Sequence, residues 1–391
     1  RMQMNTKIFQ EAMEIQEELT KWRHELHKIP EIGLVLPKTS AFVQKKLAEF
    51  QIPFETKVEG NCVVGCLGKG EQCLMLRADM DGLPMQEETG LPYASENGNM
   101  HACGHDLHTA ALLGAAKLLK VHERELKGCI KLLFQPAEET FLGAEAAIHD
   151  GVLENPKVDA AVGLHVASEF PAGVVAYGTQ EYASVYGFKI ILTGKGTHGA
   201  MPQNGIDPIN AGVHIYLALQ ELMARECDPA EEAALTIGQF TAGNAANVIP
   251  EQAVLQGTLR TFDEKTHVQM IRRIEEVVSG VAATYRVRAE IEVLSDVPVL
   301  NCEESQNEHF AKAFKEMSPE LKIFPDVHTM GSEDFAFYAQ KVPSSYFMVG
   351  AKQEETAISY AHHNPKVCFS DKALPIAASI YACAALNWQI E

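Results

Sequence analysis

What this sequence lacks narrows it first. No apolar run approaches the roughly 20 residues that a membrane-crossing helix needs. The opening stretch RMQMNTKIFQEAMEIQEELTKWRHELH has no apolar core region, so no signal peptide is expected there. Basic residues are few: 33 Lys and Arg stand against 52 Asp and Glu, a net charge of −19. Phosphate-backbone binding needs clustered Lys and Arg, so no nucleic-acid partner and no membrane partner is expected. A small anionic substrate stays compatible, because a local site can be positive on an acidic protein. The nine Cys are odd in number and scattered, at 62, 66, 73, 103, 129, 227, 302, 368 and 383. They form no CxxC pair and no disulfide framework, and reduced thiols in a cytoplasm are the simplest account. Repeats, low-complexity tracts and long linkers are absent too.

What is present is a chain of 391 residues, too long for one ordinary core, so two domains are expected. Amphipathic periodicity predicts helices over 7–28 and 38–50. NCVVGCLG, QCLMLRADMDGLP, CIKLLFQPAEE and VDAAVGLHVAS read as apolar strands, the third stopping at Pro136 and the fourth ending at His165. Between them HDLHTAALLGAAKLLKV (105–121) is helical, and a short helix covers about 142–150. Near-continuous apolar strands alternating with helices predict an α/β sheet covered on both faces. From about 184 the order changes to strand, helix (206–226), strand, strand, helix (264–283), strand. That is β-α-β-β-α-β, the ferredoxin-like order. After 300 the chain returns to helix and buried strand, closing on an Ala-rich helix over 371–388. The expected architecture is a discontinuous α/β/α catalytic domain with a mainly parallel sheet, 1–183 and 299–391. A ferredoxin-like α+β lid or dimerisation domain, 184–298, is inserted in it.

The chemistry-bearing residues gather at strand ends, where ligands bind in open α/β sheets. Asp79 and Asp81 close LRADMD, Glu138 and Glu139 follow LLFQPA, and His165 closes AAVGLH. The stretch NMHACGHDLH (99–108) holds His101, Cys103, His105, Asp106 and His108, and HHNP holds His362 and His363. Each alone has a plain reading as a cap, a solvated pair or a hydrogen-bonded core His. Three strands in succession ending in His, Cys and carboxylate favour a metal site, with zinc, manganese, cobalt or nickel all suited. A pair of ions would need about five protein ligands, and this chain can supply five. In an extended segment His101, Cys103 and His105 share a face. Cys103 with His105 is the most economical ligand pair, leaving His101 and His108 as supporting groups. Glu138 and Glu139, if extended, point opposite ways, so one could ligate while the other faces a water. In the inserted domain, His198 sits in the Gly-rich GKGTHGAMPQNGIDP, which suits a loop closing over substrate. Asn247 and Arg260 are further polar candidates, Arg260 as a fork for a substrate carboxylate.

These motifs resemble a known family. WRHELHKIPEIG, LRADMDGLP, MHACGHDLHTAALLGAA, FQPAEE, GLHV, GKGTHGAMP, ANVIPEQAVLQGTLRTF, GSEDF and HHNP run in order from about 22 to 365. They are similar to those of the metallopeptidase superfamily of aminoacylases and carboxypeptidase G. The nearer likeness is to its amidohydrolase branch of hippurate hydrolases, auxin–amino acid conjugate hydrolases, N-acetyl-diaminopimelate deacetylases and N-acyl-amino acid deacylases. The resemblance implies two divalent metal ions (Zn, Mn, Ni or Co) on Cys103, His105, Glu139, His165 and His363, with Cys103 bridging where relatives use a carboxylate. It implies Glu138 as general base, His198 as the group polarising the scissile carbonyl, and Asn247 lining the substrate pocket. One departure stands out: the superfamily's His-x-Asp reads Arg77-Ala78-Asp79 here, so that His ligand is absent and Asp79 becomes an orienting group. The expected activity is hydrolysis of a small N-acyl amino acid by a cytoplasmic homodimer. A dipeptidase or carboxypeptidase on the same site is the alternative. A binding protein that has lost its ligands, or a redox enzyme using Cys103, fits less of the pattern.

Overall fold

The computed structural model describes residues 2–354 and 358–388. Strands that read as unbroken apolar runs are the ones covered on both faces. Cys73–Asp79, Cys129–Gln135 and Ser344–Gly350 bury every residue, and Ala160–Ala167 all but the half-buried His165. These four form the parallel centre of an eight-stranded sheet. Its order is Phe54–Lys57, Cys62–Leu67, Cys129–Gln135, Cys73–Asp79, Ala160–Ala167, Ser344–Gly350, Val174–Ala176, Lys322–Phe324. Antiparallel pairing appears only toward the flanks, at Cys62–Leu67 and Val174–Ala176. Such short flanking strands carry too little pattern to read from sequence, and three of them were not expected.

Ala-rich helices let the covering layer approach closely. His105–Val121 packs against Ala373–Asn387, which is buried along its whole length. At Gly114 a Cβ would stand 2.7 Å from the Leu19 side chain and 3.1 Å from the Ala378 Cβ, so glycine fits this close approach without displacing either neighbour. The helix expected over 7–28 is two, Met2–Glu14 and Gln16–His27. Ile15 between them turns out of helical geometry at φ −96°, ψ 13°, although Leu19 N still donates to Ile15 O at 3.0 Å. No Gly or Pro marks that break. The fourth buried strand runs two residues past His165, to Ala167.

A second sheet has four strands, all antiparallel, in the order Ala233–Ala242, Gln252–Thr261, Val185–Thr193, Arg288–Val297. Helices Pro208–Glu221 and Glu264–Thr284 pack on it, each opened by an Asp (Asp207, Asp263) whose carboxylate accepts from first-turn N–H groups. This is the ferredoxin-like arrangement. The chain divides into two compact units: Arg1–Glu181 with Asn301–His328 and Asp334–Glu391, and Tyr182–Leu300 with Thr329–Glu333. The short piece Thr329–Glu333 goes with the smaller unit through hydrogen bonds from Ala183 N to Thr329 O and from Arg260 Nε to Met330 O, both 3.2 Å. Among the described residues no helix is long and apolar enough to cross a membrane.

Candidate metal centre

The larger unit gathers its His, Cys and carboxylate groups where the parallel strands end. Cys103 and His105 flank Gly104, which sits at φ +87°. A Cβ on Gly104 would meet Val166 at 2.5 Å, so both the turn and the close approach require glycine. The turn ends the strand-like alternation, and His105 opens the helix His105–Val121. His363 arrives from far downstream because its N–H donates to the Ala102 carbonyl at 2.9 Å.

Two triads result. Cys103, His105 and His165 each bring a ligand atom within 4.8 Å of the others, and so do Cys103, Glu139 and His363. Cys103 belongs to both. Its Sγ lies 3.4 Å from His165 Nε2, and His363 Nε2 lies 3.3 Å from Glu139 Oε1. His105 Nε2 is buried with no hydrogen-bond partner, although Asp79, Glu138 and Glu139 oxygens stand at 3.6, 3.8 and 3.8 Å. His165 donates from Nδ1 to the Val166 carbonyl at 2.7 Å, which turns Nε2 toward Cys103. Asp79, His105 and His108 form another close group. There His108 is already used on both sides: Nδ1 lies 2.5 Å from Asp79, and Nε2 accepts from Val166 N at 3.0 Å.

One expectation is corrected. Glu138 and Glu139 do not point in opposite directions, since both reach 3.8 Å from His105 Nε2. Ala137 at φ +55° turns the chain after Pro136, so the pair is not extended. Asp81 holds that turn: its two oxygens accept from Glu138 N at 3.1 Å and Glu139 N at 3.0 Å, and Oδ1 faces His105 Nδ1 at 3.3 Å. Sequence reasoning noticed Asp81 but missed this task. Its signal was the paired acid in LRADMD, two residues past the strand.

The electrostatics show what the cluster wants. Burial opposes a charge on His105, but Asp79, Asp81 and Glu139 overcome it and push the imidazole up to about 10. His165 is pushed down to about 4, chiefly by burial, so it stays a neutral ligand. Burial raises the Cys103 thiol well above its ordinary range, and the charges of Glu139, Glu138 and Asp79 add to this. Glu139 is held below the usual carboxylate range despite burial, by His363 and His105. A neutral imidazole, a thiol, a shared carboxylate and an unpartnered buried nitrogen make a soft, anionic donor set that suits divalent ions. The residues present therefore fit two such ions.

His198, Asn247 and Arg260 belong to the smaller unit. His198 is exposed on Thr197–His198, paired with Val248–Ile249, and the neighbouring Gly199 N donates to the Asn247 carbonyl at 2.7 Å. Arg260 is half-buried on Gln252–Thr261, with one guanidinium nitrogen lacking a partner.

The sequence pattern of peptidase family M20/M25/M40 matches residues 75–387. The chain belongs to that family. It is 37% identical over 376 residues to IAA-amino acid hydrolase ILR1-like 4 of Arabidopsis thaliana, covering 94% of this chain and 85% of the relative. It is 37% identical over 364 residues to N-acetyl-L-cysteine deacetylase of Bacillus subtilis, covering 92% and 85%. A solved Bacillus subtilis structure, described as a dinuclear metal binding peptidase of the M20 family, superposes with a TM-score of 0.80. Identity there is 31%, over 96% of this chain and 98% of that one. With this membership and its paired ligand-capable triads, the M20 chain is a metal-dependent hydrolase.

Proposed function

We propose that this protein hydrolyses the amide bond of N-acyl-L-amino acids, with Cys103, His105, Glu139, His165 and His363 holding two divalent ions. The observation that carries the reading is Cys103, common to both ligand triads, with Glu138 beside them. Bound there, the ions supply Lewis acidity, lowering the pKa of water and polarising the amide carbonyl. Glu138 takes the proton of the attacking water and delivers it to the leaving amine. Its main-chain N–H is pinned on Asp81, which holds the carboxylate beside the ligands, while Glu139 faces His363. His198 donates to the developing oxyanion. Asn247 and the unpartnered arm of Arg260 meet the substrate's polar groups, Arg260 its carboxylate. Asp79 orients His108 in place of ligating.

Names of relatives support acylated amino acids: one is an amino acid conjugate hydrolase, another a deacetylase of an N-acetyl amino acid. A dipeptidase or carboxypeptidase is the second reading, favoured by the peptidase description of the Bacillus structure. Nine free thiols among the described residues suit a reducing cytoplasm. A homodimer is supported by exposed apolar residues at helical spacing on Pro208–Glu221, namely Ile209, Val213, Tyr216 and Leu217. The test reconstitutes metal-free protein with Zn, Mn, Co or Ni and offers N-acetyl, N-benzoyl and indole-acyl amino acids beside dipeptides. Turnover of dipeptides alone would overturn the acyl-amino acid reading.

A further inference from the structure

Behind the ligand cluster lies a chain of buried charges whose far members, Arg77 and Asp334, the proposed chemistry does not use. The Arg77 guanidinium, fully buried, divides its donors among three segments. Nε donates to Gln135 Oε1 at 3.0 Å, Nη1 to Asp79 Oδ2 at 3.0 Å, and Nη2 to Asp334 Oδ1 at 2.6 Å. Asp334 Oδ2 in turn accepts from Gln135 Nε2 at 2.8 Å and from Ala144 N at 2.9 Å. Tyr338 and Tyr381 hydroxyls donate to Gln135 Oε1 at 2.9 Å and to the Arg77 carbonyl at 2.5 Å. The other Asp79 oxygen faces His108 Nδ1 at 2.5 Å, and His108 Nε2 accepts from Val166 N at 3.0 Å. The Val166 carbonyl accepts from His165 Nδ1 at 2.7 Å. Every link from Asp334 to His165 is therefore within hydrogen-bonding distance.

We propose that Arg77 and Asp334 are positioning residues of the metal centre, fixing His165 through Asp79, His108 and the main chain of Val166. The inference rests on the metal-centre reading above. Packing alone does not call for this arrangement, since a buried ion pair is often no more stable than apolar residues of the same volume. What apolar residues could not do is orient. A guanidinium offers a rigid fork, and Arg77 uses it to lock the ends of Cys73–Asp79 and Cys129–Gln135 to Asp334. Asp79, so held, sets the tautomer of His108: the proton sits on Nδ1, leaving Nε2 to accept. That anchors the Val166 main chain at its N–H, and the carbonyl of the same residue, one peptide plane further on, selects the Nδ1–H tautomer of His165, leaving Nε2 for an ion. The residue where the wider superfamily's ligand is absent thus becomes the anchor of another ligand's orientation.

Arg77→Lys and Asp334→Asn test this, the second being isosteric and kept as the variant that retains the fold. Metal-free proteins are titrated with cobalt(II) while the d–d and thiolate-to-cobalt bands are recorded. Each variant is expected to bind cobalt about 10- to 100-fold more weakly, with shifted bands, kcat reduced and KM little changed. In a His108→Ala background Arg77→Lys should add less than about threefold, because both act through one path. A lowered Tm with unchanged cobalt affinity and spectrum would overturn the inference, as would full additivity with His108→Ala. Wild-type protein that takes up no cobalt would instead overturn the metal-centre reading, and this inference with it.

Discussion

Two clusters of buried His and carboxylate groups lie in the larger unit, and they are built differently. In the first, Arg23 donates to Asp106 at 3.0 Å, Asp371 at 2.8 Å and the Phe369 carbonyl at 3.0 Å. His27 lies between Asp106, 2.8 Å from Nδ1, and both Glu87 oxygens, 3.0 Å from Nε2. Cations face anions, and the network ties the helix Gln16–His27 to the start of His105–Val121 and to the 369–371 segment. In the second, Asp79, Asp81, Glu138, Glu139 and Cys103 crowd around His105, whose Nε2 has no partner. The first cluster pairs Arg23 and His27 with carboxylates on other segments and so holds those segments together. The second gathers carboxylates and a thiol around an imidazole nitrogen that no donor or acceptor meets, which is how a cation site differs from a structural ion network.

The largest effect separating them is catalytic. Glu138→Gln should lower kcat by about 10²- to 10⁴-fold, the usual worth of a general base, with both ions still bound. Metal analysis beside steady-state rates checks this, and a variant retaining near-full kcat refutes the base assignment. The first cluster should answer in the opposite way. Arg23→Ala strands Asp106 in the interior and should cost about 3–5 kcal/mol of stability, as breaking a buried pair does. Denaturant melts would show it, while metal content per folded molecule stays at the wild-type value. Loss of metal without loss of stability would reverse the roles given to the two clusters.

How much of this was legible follows from distance along the chain. Cys103 and His105 stood out because ligand-capable residues crowd ten positions, and His165 because it sits near the end of an apolar strand. The fold class was legible too, since continuous apolar strands alternating with helices leave few arrangements. The turn at Glu138–Glu139 was not, because it depends on Ala137 taking a positive φ and on Asp81, 57 residues upstream, accepting the Glu138 N–H. Arg77 read as a missing ligand, and its partner Asp334 lies 257 residues away. Arg23 and His27 fall in a stretch read only as an amphipathic helix, and their partners Asp106 and Asp371 lie 79 to 348 residues away. Pairing between such distant side chains leaves no local pattern, because the periodicity of a helix or strand records burial and not partners.

The smallest effect tests the first cluster by pH. Burial works against a charged His27, but Asp106 and Glu87 outweigh it and push the imidazole up to about 9 from 6.5. The folded pKa lies above the unfolded one, so the contribution is complete below pH 6.5 and is lost as pH rises through about 9. The loss should be on the order of 3 kcal/mol, at about 1.4 kcal/mol per pKa unit. Stability measured from pH 6 to 10 should therefore fall in the wild type and fall less in His27→Gln. The variant starts lower at pH 6 and meets the wild-type curve near pH 10. Parallel curves would mean that His27 is neutral in the folded protein, and that Asp106 is balanced by Arg23 alone.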